Sequence, residues 1–279
     1  MSKIYINQYV FPFSKFGRMG KVHSIFRNSL NILIKNQLIH ISSTYEYISS
    51  FGMAIPKLEF NKIFNYIKVG DLVRVSEDKI DFYALKGIYS LRLDEVEIIT
   101  LEKPYLELSD SILECLLSLL ESFKLIENVG IELSEDFCRD KNILESGDLK
   151  QFDTVVNHLV GLGKGLTPSG DDILVAYLSI MNIKEKDIAH LLGTLIRKKL
   201  SFTTDVSAAY LNSTIDGQVS LPFYNLYDSI NDKKDENDIK QNLIDIQKIG
   251  HTSGNDLLFG LYLAIKLIKL RGEINGYND

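Results

Sequence analysis

Near residue 104 the hydrophobic pattern of the chain changes period, and a single kind of secondary structure cannot satisfy both halves. Before that point, short stretches rich in β-branched and aromatic residues recur between turn residues, at 22–26, 29–34, 38–42, 72–75, 80–84, 88–93 and 97–101. Several alternate apolar with polar, as in Leu72 to Arg74 and Ile80-Asp81-Phe82, the pattern of a sheet with one wet face. Lys86-Gly87 supplies a hairpin turn between two of them, and a weak helix is expected at 60–67.

After Glu102-Lys103-Pro104 the spacing becomes three-four. Ser109-Asp110 caps a helix through Ile112, Leu113, Leu116, Leu117, Leu120 and Phe123. Further helices are expected at 149–160, 171–181, 185–200, 206–211, 221–230, 237–249 and 255–270, with the charged run 231–238 as a solvated connection. The expected class is α+β, with a mostly antiparallel sheet or barrel-like domain at 1–104. An all-helical domain at 105–279 follows and carries a glycine-rich motif.

A length of 279 residues is where one core begins to split, so two domains are allowed. With 31 Lys+Arg against 37 Asp+Glu the net charge is −6, which argues against nucleic acid as partner. Cys115 and Cys138 belong to no metal-spaced cluster and read as buried, reduced thiols. Residues 1–8 lack the apolar core of a signal peptide. The apolar run 257–270 is interrupted by Lys266 and Lys269, so no membrane span and a cytoplasmic location are expected.

The chemistry concentrates in Gly161-Leu162-Gly163-Lys164-Gly165-Leu166-Thr167-Pro168-Ser169-Gly170-Asp171-Asp172, which runs into an apolar helix. Thr167 is a suitable N-cap and Pro168 a suitable first helical residue. A glycine-rich turn entering a helix N-terminus presents unpaired N–H groups to an anion. Caps and turns alone do not call for Ser169, Gly170, Asp171 and Asp172 in one turn, because a glycine there weakens a helix by about 1 kcal/mol. Lys164 is followed by Gly165, so this is not a Walker A loop, and Ser169 is not in a nucleophile elbow.

A second segment runs from Gly250 to Leu258, and its Ser253-Gly254-Asn255-Asp256-Leu257-Leu258 pairs with Ser169 to Leu174 by identical or similar side chains at every position and again opens an apolar helix. If the two N-termini meet, Ser169, Asp172, Ser253 and Asp256 line one pocket. Thr203 and Thr204 either cap the next helix or offer hydroxyls to an anion. His251, just before the second turn, is a candidate for acid/base work. His158 and His190 fall within helices and read as packing or surface residues; His40 lies in a strand, and His23 stays unassigned. No cofactor is assigned from the sequence, and Asp171, Asp172 and Asp256 are a candidate oxygen set for Mg²⁺. No His/Cys set suits a transition metal.

At these residues the chain resembles a bacterial family long labelled as of unknown function, which includes the H subunit of oxamate carbamoyltransferase from anaerobic allantoin degradation. The resemblance runs from the strand at 22–26 through Gly163 to Asp172 and Thr203-Thr204 to the segment 252–260. It implies a transferase subunit in ureide and purine catabolism that moves a carbamoyl group between a ureide-derived acid and phosphate, working beside an acyl-CoA-synthetase-like subunit and a further subunit of unknown function. Gly163, Gly165, Thr167, Ser169, Gly170, Asp171, Asp172, Ser253, Gly254 and Asp256 match the family's motif. The Ser-Thr-Arg-Thr phosphate turn of ordinary carbamoyltransferases is missing.

The expectation is therefore a subunit that binds a small anion such as carbamoyl phosphate or an oxamate-like carboxylate. Gly163, Lys164, Gly165, Thr167, Ser169, Gly170, Thr203, Thr204, Thr252, Ser253 and Gly254 would hold it, with Asp171, Asp172, His251 and Asp256 handling protons. The alternatives are a non-catalytic subunit that senses a metabolite or nucleotide, and a Mg²⁺-dependent enzyme on a phosphorylated substrate. A homo-oligomer stays open.

Overall fold

The computed structural model describes residues 3–102, 105–232 and 235–276. The period change at Pro104 and the lysines of the charged run, Lys233 and Lys234, lie outside the described residues, as do Met1 and Ser2. The chain divides into two compact units, one made of 1–102 with 218–221 and the other of 103–217 with 222–279.

The first unit is a curled, half-barrel mixed sheet. Its described strands are β1 (Ile4–Asn7), β2 (Met19–Ile25), β3 (Ser29–Ile34), β4 (Gln37–Ser42), β5 (Gly52–Ala54), β6 (Leu72–Val75), β7 (Lys79–Ala84), β8 (Gly87–Arg92) and β9 (Val96–Ile99). Their order is β8-β7-β6-β2-β3-β4-β5-β1-β9. Most neighbours are antiparallel, but β4 with β5 and β1 with β9 are parallel. The register places Val22, Ile32, Ile39, Ile41, Met53 and Ile6 on one fully buried face. Side chains of this kind are each worth about 1.5–3 kcal/mol when taken out of water. A bulge between Val22 and Ser24 absorbs His23.

The hairpin β7–β8 turns through Leu85 and Lys86, with Gly87 already paired to Ala84 at φ 123°, so the turn sits one residue earlier than the Lys86-Gly87 expectation. The weak helix is real but starts sooner, as α1 (Lys57–Phe64), burying Phe60 and Ile63. The segment 218–221 completes this unit: Val219 N–H donates to the Leu101 carbonyl and Leu221 N–H to the Ile48 carbonyl, each at 2.9 Å.

The second unit is helical throughout: α2 (Asp110–Ser122), α3 (Leu125–Asn128), α4 (Glu135–Ser146), α5 (Phe152–Leu159), α6 (Ser169–Lys184), α7 (Lys186–Arg197), α8 (Asp205–Ile215), α9 (Leu221–Asn231), α10 (Glu236–Gln247) and α11 (Ser253–Gly276). Ser109 caps α2 as its sequence asks, accepting from the Ile112 N–H. Helix α6 is apolar on nearly all sides and is buried from Ser169 to Leu174 and from Ala176 to Asn182, so it forms the axis of the unit. Helices α7, α8 and α11 pack on it. Two polar groups in its middle are matched: the Tyr177 hydroxyl donates to the Leu144 carbonyl, and Ser179 bonds the Tyr227 hydroxyl. Among the described residues no helix is long and apolar enough to cross a membrane.

Both thiols are free, but Cys138 is exposed and Cys115 half-buried. The expectation of two buried thiols therefore fails. Cys138 falls on the wet side of α4, whose buried positions are Phe137, Asp140, Ile143 and Leu144.

Candidate functional site

The glycine-rich turn begins where α5 stops, and Gly161, Gly163 and Gly165 all take positive φ (79°, 129° and 87°). Such conformations are natural for glycine and strained for other residues. Helix α6 then starts at Ser169 with Pro168 as its cap residue, one position later than the Thr167 cap read from sequence. Thr167 is used differently, its hydroxyl lying 2.9 Å from the Ser253 hydroxyl at the start of α11.

The two helix starts repeat each other in geometry as well as in sequence. The N–H groups of Asp171 and Asp172 donate to the Pro168 carbonyl, and those of Asn255 and Asp256 donate to the Thr252 carbonyl. Gly170 and Gly254 sit where a Cβ would come within 2.1 Å of the Leu159 carbonyl oxygen and 2.2 Å of that of Gln247. Each copy thus presses its first helical turn onto the end of the preceding helix, α5 or α10, and only glycine fits.

The N-termini also meet. The Ser253 hydroxyl faces the Asp172 carboxylate, and the Ser169 and Thr252 hydroxyls face Asp256. The contact is reciprocal, with each serine serving the aspartate of the opposite helix. Asp256 Oδ1 also accepts the Gly130 N–H at 2.7 Å. Asp172 is 6% exposed and Asp256 fully buried, yet Oδ2 of each has no hydrogen-bond partner. Burial drives both acidities down: the Asp172 carboxyl titrates well above the usual carboxylate range, through desolvation first and then the nearby Asp256 and Asp171 charges. Asp256 is raised too, by burial, with its hydrogen bonds working against the shift.

Asp171 is occupied otherwise. Its Oδ1 accepts the Gly161 N–H at 3.0 Å, its Oδ2 accepts the Thr203 hydroxyl, and Ser207 contributes a further hydrogen bond. Its pKa is nevertheless raised by burial. Thr204 caps α8, accepting from the Ser207 N–H at 3.1 Å, and donates to the Leu166 carbonyl at 2.5 Å. Thr203 and Thr204 therefore tie the 200–204 segment to the glycine turn.

Of the residues singled out from sequence, the structure brings together Thr167, Ser169, Asp172, Thr252, Ser253 and Asp256. Gly163, Lys164, Gly165 and His251 are exposed, the last on the turn before α11. Among the described residues no group of three or more His, Cys, Asp or Glu is placed to hold a metal ion. With Asp171 committed to Gly161 and Thr203, the three carboxylates considered for Mg²⁺ do not form such a site. Sequence reasoning missed Gly130, which carries no motif. It also missed the pair in which His158 Nδ1 bonds the buried Asp140, while Arg139 reaches the same carboxylate at 3.4 Å.

This architecture defines a two-part protein, a curled sheet followed by a helical unit in which two helix N-termini meet. Each part matches a model of one family: residues 4–98 match the AllH family N-terminal domain, and residues 159–265 match oxamate carbamoyltransferase subunit AllH. Together they take in most of the chain, and the chain belongs to the AllH family. The second match spans both Ser-Gly-(Asp/Asn)-Asp turns. Searches of curated proteins and of solved structures gave no match.

Proposed function

We propose that this protein is a working subunit of an oxamate carbamoyltransferase, and that its substrate site is the meeting point of the α6 and α11 N-termini in the helical domain, which we place at 105–279. The observation that carries this is the pair of buried carboxylates, Asp172 and Asp256, each served by a serine of the opposite helix and each left with one unpartnered oxygen. Unmet hydrogen-bonding capacity of a buried carboxylate costs free energy, about 1–3 kcal/mol or more for a charged group. A fold retains it where a ligand completes the site.

In this reading Asp172 and Asp256 handle the proton, and burial raises the pKa of each, the direction that a proton-transferring carboxyl requires. Asp171 is a positioning residue that fixes the glycine turn. The exposed N–H groups of Lys164 and Gly165, with Thr167, face the anionic part of a carbamoyl phosphate or oxamate-like substrate. His251 stands at the rim. The chain would act in the cytoplasm, in ureide breakdown, beside an acyl-CoA-synthetase-like subunit.

The test is reconstitution of the complex and assay of carbamoyl transfer between oxamate and phosphate. Asp172→Asn is expected to lower the rate about a hundredfold or more while assembly is unchanged. An unchanged rate together with a lost response to a metabolite would instead make this chain a sensing subunit.

A further inference from the structure

The sheet of the first unit ends at β8, and the strand order leaves that strand with β7 as its neighbour on one side and an open edge on the other. The hairpin closes on the pair Ala84 and Gly87, and the Leu93 N–H donates to the Asp78 carbonyl at 2.7 Å. Gly87, Tyr89, Leu91 and Leu93 are therefore the residues whose backbone groups turn toward β7. Ile88, Ser90 and Arg92 turn their N–H and C=O groups the other way, and all three are exposed. Edges in natural sheets are blunted by proline, bulges, charges, shortness or a cover. β8 is six residues long, has no proline, pairs with β7 without a bulge and carries its one charge, Arg92, at the far end.

The sheet face beside this edge is apolar and basic at once. Register sets Lys21, Leu72, Tyr83 and Ile88 in one row and Met19, Arg74, Asp81 and Ser90 in the next, on the face opposite the buried one. Met19 (51% exposed), Leu72 (56%), Ile88 (59%) and, at the hairpin tip, Leu85 (95%) make this a contiguous apolar patch in water, which a free-standing surface seldom carries. Asp81 is held by Lys79 and Ser90, and Arg92 pairs with Asp94. Lys21, Arg74 and Lys86 form no ion pair among the described residues, so a chain of net charge −6 gathers uncompensated positive charge here. The acidic turn residues Glu77, Asp78, Asp94 and Glu95 lie at the opposite end of these strands.

We propose that β8 and the outer face beside it are a docking surface for another subunit, which adds an extended acidic segment to the sheet as a further strand. The family is named for a subunit, so other chains exist to supply it. The segment alternates: its apolar side chains fall on the inner side, beside Tyr89 and Leu91, and its acidic ones on the outer side, next to Lys86. The open groups of Ile88 and Ser90 fix its register. The acidic surface around it lies over Lys21, Leu72 and Arg74, where opposite charge selects the partner and speeds encounter. A second copy of this chain is the poorer occupant, because it sets the same basic face beside this one.

Hydrogen exchange of the full chain, free and in the purified complex, tests the proposal. The peptide spanning β8 is expected to exchange at least about tenfold more slowly in the complex, with the central strand β3 unchanged. Ile88→Pro removes an N–H that β7 does not use, a change that an edge strand tolerates. Arg74→Glu reverses an exposed charge. Each variant, checked for native circular dichroism, is expected to weaken assembly at least about tenfold, and Arg74→Glu to flatten its dependence on salt. Lys86→Glu, with the same expectation, serves if Ile88→Pro does not fold. Equal exchange of β8 in the free chain and the complex, or assembly untouched by the variants, would overturn the docking surface. Protection that grows with the concentration of the chain alone would make the occupant a second copy and overturn its assignment to another subunit.

Discussion

The N–H of Gly130 donates to Asp256 Oδ1 at 2.7 Å across 126 residues of chain. The same glycine leaves no room for a side chain, since a Cβ would lie 2.3 Å from Ser169 Oγ and 3.2 Å from both Asp256 Oδ2 and Thr252 Oγ1. The atoms in the way are ends of small side chains, so Gly130→Ala is expected to fold at a cost within the usual range of about 1–3 kcal/mol for overpacking. Because the displaced groups are those of the site, oxamate affinity should fall at least about tenfold, a loss of ~1.4 kcal/mol. Titration of the folded variant checks it, and unchanged affinity would remove Gly130 from the site.

Asp171 and Asp172 are neighbours in sequence with opposite expected phenotypes. Asp171 has three protein donors, so Asp171→Ala leaves the Gly161 N–H and the Thr203 hydroxyl without their acceptor, and should destabilise the protein by about 1–3 kcal/mol. The glycine turn should become a site of proteolytic cleavage. Asp172→Asn should do neither. Urea denaturation and limited proteolysis of the two variants decide it, and matched behaviour would show that the division of roles is wrong.

The raised acidities give a pH dependence with a definite sign. A carboxyl whose folded pKa lies above its unfolded value, near 3.9 for Asp, binds its proton more tightly in the folded state. Its stabilising contribution is complete below that unfolded value and is lost as pH rises toward the folded one. Asp172, raised furthest by burial, should dominate this loss, ahead of Asp171 and Asp256. Asp172→Asn removes it, so the variant should gain on the native protein as pH is raised from about 4 to about 8. Denaturant midpoints at several pH values measure the difference, which would stay flat if Asp172 were not perturbed.

Away from the site, Asp140 is fully buried on α4 and depends on His158. His158→Ala would leave the carboxylate with Arg139 alone at 3.4 Å. Removing one partner from a buried pair is costly, and a loss of about 2–4 kcal/mol is expected by urea denaturation. A change under ~0.5 kcal/mol would show that Arg139 suffices, as for an ordinary surface substitution.

The division into a sheet and a helical part was legible because β3, β4, β6 and β7 carry runs of suitable residues and α2, α7 and α10 carry apolar stripes. Strands β1 and β5 were not, since Ile4–Asn7 and Gly52–Ala54 are four and three residues long and their pairing is non-local, partly parallel. Helix α4 was hidden by its composition: Phe137, Ile143 and Leu144 are spread among charged residues, and Asp140 is buried where an apolar residue is expected. The meeting of Ser169, Asp172, Ser253 and Asp256 could be anticipated because the two turns repeat. The role of Asp171 could not, because Thr203 reaches it from 32 residues away.

The return of Gln218–Leu221 to the first unit has a consequence for translation. The Leu101 and Ile48 carbonyls wait for the N–H groups of Val219 and Leu221, which the ribosome makes more than a hundred residues after the last strand. The amino-terminal sheet therefore cannot reach its finished form while it is the only part outside the ribosome, although chains commonly fold their first domain first. A fragment ending near Pro104 would carry both carbonyls unanswered, and the sheet by itself needs residues 218–221 supplied in trans or spliced on.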